Sequence, residues 1–196
     1  MTGSGPTYPP SDLALRALPI QILDRHTKIF RIHRTALGAK FFGASADWRF
    51  DDPNKSYGTL YAGLTPEIAF AETLLRGKGT LIAEAELKLR SLCTFTVRDD
   101  IRLVELHGKR MFKIDANANV TSGLPYNASQ AWSSAFHHHP DAPDGIVYRG
   151  TRDNSQFALV LFDRAKHKID DGASFPLMQD KTALGVLLDR YEAGLS

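Results

Sequence analysis

Cysteine is almost absent from this chain: Cys93 is the only one in 196 residues. That excludes an internal disulfide and a thiolate zinc cage, and it fits a reducing compartment, the cytoplasm. No stretch approaches the ~18 consecutive apolar residues of a membrane span. Met1 to Pro10 has neither the basic nor the apolar region of a signal peptide, so a soluble protein is expected. Charge of one sign is scarce as well. Lys and Arg number 24 against 22 Asp and Glu, a formal net charge of +2, and the two signs are interspersed. A nucleic-acid binder gathers its cations on a stripe or tail. Here the densest basic runs, Lys109-Arg110 and Lys166-His167-Lys168, are short, so neither a nucleic acid nor a membrane is expected as partner. Rossmann and P-loop glycine patterns are missing, so a bound nucleotide must be held another way. HxxxH and HExxH spacings are also missing. His137-His138-His139 point in different directions on a helix, so no metal is expected.

What is present is a core. Hydrophobic residues make up 43% and aromatics 10% of the chain, enough for one compact domain at this length. Residues 1–10, rich in Gly, Pro, Ser and Thr, read as a flexible lead-in, and residues 11–196 as a single domain. Ser11 is placed to cap a short helix ending at Leu18 before Pro19. Residues 28–33 alternate like a strand, and residues 38–57 form a long loop. Strand 58–64 leads into a helix over 66–76, announced by Thr65 as N-cap, Pro66 at the first helical position and Glu67 in the first turn, and closed by Gly77. Strand-like runs over 80–89, 93–97 and 101–106 suggest an antiparallel meander. Asn127 and Gln130 resemble a capping box for a helix to Phe136. Two more strands cover 145–148 and 157–162. Asp180 is placed to cap a last helix that turns Leu184, Leu187, Leu188 and Tyr191 to one face. The sum is an α+β fold, mainly antiparallel sheet with interspersed helices.

Few residues stand out chemically. Glu72 is the one charged side chain in the run Ile68–Leu75, at the edge of the face carrying Ile68, Ala71 and Leu75. A carboxylate turned inward must be paired, hydrogen-bonded or used on a ligand, and a structural ion pair, with Arg31 for example, or a solvated helix edge fits the pattern too. Arg31, between Phe30 and Ile32 in a strand-like run, is either an outward-facing surface residue or a forked clamp for phosphate or carboxylate. Arg49, flanked by Trp48 and Phe50, suits either phosphate contact or cation–π packing. Tyr61 is either a core residue or a ring on which a base stacks, with its hydroxyl free to bond. Cys93, in a β-rich run without a motif, reads as a buried, inert thiol.

Together these segments resemble the RES domain family, toxins of bacterial toxin–antitoxin pairs, from about Phe30 to Arg164. Phe30-Arg31-Ile32-His33-Arg34 and Trp48-Arg49-Phe50 are similar to the family's two arginine segments. Tyr61-Ala62-Gly63 followed by Ala69-Phe70-Ala71-Glu72 is similar to its strand-to-helix segment, and Asp144–Tyr148 with Ala158–Arg164 to its closing strands. One position departs: where the family's serine is expected, two residues after Tyr148, stands Gly150, leaving Thr151 or Ser155 as the nearest hydroxyls. The resemblance implies an ADP-ribosyltransferase-like fold and an enzyme that breaks the nicotinamide bond of its substrate NAD, by hydrolysis, phosphorolysis or ADP-ribosyl transfer. It makes Glu72, Arg31 and Tyr61 the catalytic residues, and Arg31, Arg49, Tyr61 and Thr151 the dinucleotide contacts. The implied partner is a helix-turn-helix antitoxin of the Xre type. Gly150 keeps one rival open, a weakened module that only binds NAD or ADP-ribose, and a second rival is a protein whose main role is pairing with an antitoxin that plugs the cleft.

Overall fold

The computed structural model describes residues 7–75 and 80–196. Strands β1 (Ile20–Leu23), β2 (Lys28–Arg34), β3 (Thr59–Gly63), β5 (Arg90–Thr96), β6 (Ile101–Leu106), β7 (Gly145–Arg149), β8 (Phe157–Phe162) and β9 (Ala173–Pro176) form one eight-stranded sheet, ordered β1-β6-β7-β8-β3-β2-β5-β9. The short strands β4 (Leu81–Ile82) and β10 (Gly194–Leu195) pair separately. Helices are α1 (Pro66–Leu74), α2 (Glu84–Lys88), α3 (Asn119–Ser122), α4 (Asn127–His137) and α5 (Lys181–Arg190). The expected α+β class, mainly antiparallel, is what the chain adopts. Only β6 and β7 run parallel within the large sheet, and a parallel pair needs a long crossover. That crossover supplies α3, α4 and the segment between them. Among the described residues, no helix is long and apolar enough to cross a membrane.

Successive residues of the central strands feed two separate cores. Ile146, Tyr148 and Val160 join Ile68, Phe70, Trp132 and Phe136 under the helices, while Val147, Leu159 and Leu161 join Ile29, Phe95 and Leu103 on the other face. Burial on both faces explains why β8 reads as the unbroken apolar run FALVLF rather than alternating.

Several local expectations give way. The helix proposed from Ser11 to Leu18 is only a 3-10 turn at Leu13–Leu15, with Leu13 buried and Leu15 exposed, and β1 follows Pro19. Residues 80–89 are not a strand: β4 is two residues long and α2 follows, favoured by Ala, Glu and Leu and by the i,i+4 pair of Glu84 and Lys88. The meander fails because β5 pairs with β2 and β9, whereas β6 pairs with β1 and β7 in the other half of the sheet. Tyr126, not Asn127, is the N-cap of α4, and the Gln130 amide donates instead to the carbonyls of Ala46 and Trp48. The expected closure of α1 at Gly77 lies outside the described residues. Trp132 donates its indole N–H to the Thr7 carbonyl, so the end of the lead-in touches the body.

One feature of the sheet positions the candidate site. β2 and β3 share a single register pair, Phe30 with Gly63, and beyond it Thr59 pairs with Gly43 of the 38–57 loop. The two strands therefore diverge, and the loop enters the opening between them.

Candidate active site

Helix α1 begins as its sequence dictates: Thr65 Oγ1 accepts from the Ile68 N–H at 3.3 Å, and Pro66 takes the first turn. Two glycines let it lie close to the sheet. A Cβ on Gly63 would overlap Ile68 Cγ2, and one on Gly150 would overlap Ile68 Cδ1 and sit 2.8 Å from the Asp153 carbonyl oxygen. Ile68 thus nests against both backbones, which brings Glu72, one turn later, to the loop after β7. There the Thr151 N–H and Oγ1–H both donate to Glu72 Oε1, at 2.6 and 2.9 Å. Position 150 has no room for a serine, and the hydroxyl that meets Glu72 comes from the next residue. Ser155 turns elsewhere, donating to Asp153 Oδ1.

Tyr61, on β3, presents part of its ring beside Glu72. Its hydroxyl is not free for a ligand, as the sequence suggested, because it donates to Asp51 Oδ1 at 3.0 Å and accepts from the Phe50 N–H at 2.9 Å. Burial first, and then the charge of Asp51, push the Tyr61 hydroxyl well above its usual range. Asp51 is almost fully buried and also accepts from Thr59 Oγ1, Ser45 Oγ and the Trp48 N–H. Sequence reasoning missed it, because an Asp51-Asp52 pair in a polar loop looks like surface.

Glu72, Tyr61, Arg49 and Thr151 line one cleft of about 230 Å³. Arg49 Nη1 donates to the Gly123 carbonyl at 2.7 Å, and its guanidinium lies 4.7 Å over the Tyr126 ring. The aromatic setting expected for Arg49 is real, but its partner is Tyr126: Phe50 points into the core and Trp48 outward. Ser122, Leu124, Tyr126, Tyr148 and Arg152 complete the walls. None was singled out from the sequence. Tyr148 lay inside a recognised strand segment, whereas residues 116–126 carry no periodic signal.

Arg31 is placed differently. It does not line that cleft; it lines a narrow gap shared with Glu72 and Tyr61, and a larger groove beyond Tyr61. Its Nη1 donates to the carbonyls of Ala39 and Phe41 at 3.0 and 2.7 Å, and burial lowers its pKa to about 10. Tyr61 is the one candidate that borders all three spaces.

The remaining candidates lie apart. The His137 ring stacks on Tyr57 at 3.8 Å, His138 is exposed, and the buried His139 shares its Nε2 with the carbonyls of Leu13 and Arg16. Burial pushes the Cys93 thiol up to about 11. Among the described residues, no group of three or more His, Cys, Asp or Glu could hold a metal ion.

Comparison with known proteins gives three findings. Residues 28–180 match the model of the RES domain family. The chain is 27% identical over 121 residues to "Probable toxin y4kH" of Sinorhizobium fredii, an alignment covering 61% of this chain and 94% of that protein. Its fold is similar to a chain in the crystal structure of the M. tuberculosis MbcT-MbcA toxin-antitoxin complex, with a TM-score of 0.61 and 12% identity over 88% of this chain and 92% of that one.

Proposed function

The chain belongs to the RES domain family, and from that premise we propose that it cleaves the nicotinamide N-glycosidic bond of NAD in the cleft of Glu72. The observation that carries this reading is the Glu72 carboxylate, held at the cleft by the N–H and hydroxyl of Thr151 beside the Tyr61 ring. Breaking the bond sends its electron pair to the nicotinamide nitrogen, which neutralises the pyridinium, and leaves positive charge on the ribose C1′ and ring oxygen. A fixed carboxylate stabilises that charge without reorganising. Two donors on one oxygen fix Glu72 for this task. Tyr61 offers its ring for the nicotinamide to stack on, while Asp51 and the Phe50 N–H lock its orientation. Arg49 and Arg31 bind the diphosphate with guanidinium donors, in place of a glycine-rich helix start. The acceptor, whether water, phosphate or a protein side chain, bonds to C1′ and loses its proton.

Gly150 does not argue for a module that only binds, because Thr151 supplies the hydroxyl contact one residue later. Incubating the purified protein with NAD, with and without phosphate, and following free nicotinamide and product masses tests the reading. Release that is absent in Glu72→Gln supports it, and no release by the wild-type protein overturns it.

We further propose that the chain is the toxin of a pair and binds a helix-turn-helix antitoxin of the Xre type. The toxin relative and the neighbour seen in a toxin–antitoxin complex support this. Co-expression with the adjacent small reading frame should give a complex that survives gel filtration; two separate peaks would count against it.

A further inference from the structure

Small-molecule sites commonly occupy ~300–1,000 Å³, so the Glu72 cleft, at about 230 Å³, holds only part of a dinucleotide. A second groove of about 660 Å³ begins on the other side of Tyr61, between β2 and residues 41–51. We propose that this groove seats the adenosine end of NAD, with Arg34 on the adenosine-side phosphate, Arg31 and Arg49 keeping the phosphate on the nicotinamide side, and the rings of Trp48 and Phe41 against the adenine. The proposal rests on the NAD reading and adds three residues to it.

Continuity is the first argument. Tyr61 lines both spaces, and a narrow gap bordered by Arg31, Ile32 and Glu72 lies between them. Ile32, Tyr61 and Tyr148 pack in one hydrophobic cluster, so the walls of cleft, gap and groove are joined by shared packing.

Charge is the second. Arg34 is exposed and has no ion pair among the described residues, and Arg31 is desolvated with only carbonyl oxygens as partners. The acidic groups nearby do not neutralise them. Asp51 keeps its charge but spends its oxygens on four neutral donors rather than on Arg31 or Arg34, and Glu86 is taken by Arg90, which lines the same groove. Only Asp47 stands exposed at the rim, where it can accept from a ribose hydroxyl or the adenine amino group. His33 is committed to Ser174, and burial holds its pKa below the usual value, so it stays neutral near pH 7. Arg31 and Arg34, neither in an ion pair among the described residues, leave guanidinium groups that match phosphate oxygens, beside the paired Arg90 and the two aspartates of the same lining.

Surface is the third. Trp48 and Phe41 are 45% and 46% exposed in this one groove. Base–aromatic stacking of this kind is worth ~1–3 kcal/mol. Gln130 holds the loop under Trp48 through two carbonyls, so one ring is presented on a fixed backbone.

The test is calorimetric titration of the full-length protein with ADP and, separately, with nicotinamide mononucleotide. Wild-type protein should bind both. Arg34→Ala and Trp48→Ala should each weaken ADP about tenfold and leave nicotinamide mononucleotide within about twofold, while Glu72→Ala does the reverse. Melting temperatures near wild type confirm that each variant is folded, and Phe41→Ala serves if Trp48→Ala is not. The proposal falls if wild-type protein shows no ADP binding at millimolar concentration, if ADP affinity ignores both variants, or if both ligands weaken together. The underlying reading fails separately: ADP binding that depends on Arg34, with no nicotinamide released from NAD, keeps the groove and removes the cleavage.

Discussion

Two carboxylates flank Tyr61 and live in opposite conditions. Asp51, behind the ring, is sealed and accepts from Tyr61, Thr59, Ser45 and the Trp48 N–H. Glu72, in front of it, is half-buried at a cleft and is held through one oxygen by Thr151. A buried carboxylate with its hydrogen-bonding capacity filled is a structural post, since nothing remains with which to meet a ligand. One fixed by its neighbours yet facing an open space is prepared to act on what enters it. The difference predicts that the two sites fail in different currencies, Asp51 in stability and Glu72 in turnover.

The largest effect is expected at Glu72. Glu72→Gln, which keeps the side-chain volume and an acceptor oxygen for Thr151, should lower nicotinamide release on the order of 10²- to 10³-fold while the melting temperature moves little. A variant that melts early and turns over normally would reverse the roles assigned to the two acids. Asp51→Asn comes next. It puts an amide donor among four donors that now converge on a carboxylate, at a cost of about 3 kcal/mol, or roughly 6–12 °C in melting temperature for a chain of this length. Residual activity per folded molecule should stay within about tenfold of wild type, since Asp51 acts only through Tyr61.

How much of this contrast was legible in the sequence follows from the range of the forces involved. Thr65-Pro66-Glu67, the Asp180 cap and the apolar run of β8 are local signals, and the chain obeys them. Glu72 was legible because a charge among apolar helix residues needs an explanation. Asp51 was not, since its donors come partly from β3, up to ten residues along the chain. Strand β9 is exposed along its whole length and exists because β5 offers it an edge. The fit of Gly63 and Gly150 around Ile68 joins positions more than eighty residues apart. No spacing rule could anticipate it, and it decides that the hydroxyl meeting Glu72 belongs to residue 151.

Acid should sharpen the contrast from the Asp51 side. The 38–57 loop ends on Tyr57, which stacks on His137, and burial lowers the His137 pKa to about 4. An unfolded histidine titrates near ~6.5, so the unfolded chain binds the proton first. Stability is then full above about pH 6.5 and is lost as the pH falls toward 4, by up to roughly 3 kcal/mol. His137→Phe, which keeps the stack, should flatten urea-derived stability across that window. An unchanged slope would remove His137 as its source.

The smallest effects discriminate most finely, because they compare two hydroxyls four residues apart. Thr151→Ala removes one of the two hydrogen bonds seen on Glu72 Oε1 and leaves the backbone N–H, so nicotinamide release should fall about tenfold with stability nearly unchanged. Thr151→Ser keeps a hydroxyl at the same reach and should restore most of the rate. Ser155→Ala should do almost nothing to turnover, since Ser155 Oγ donates to Asp153, which also receives Tyr191 and Arg190. If Ser155→Ala proves as damaging as Thr151→Ala, the loop after β7 acts as one unit through Asp153. The direct contact from residue 151 would then explain neither result.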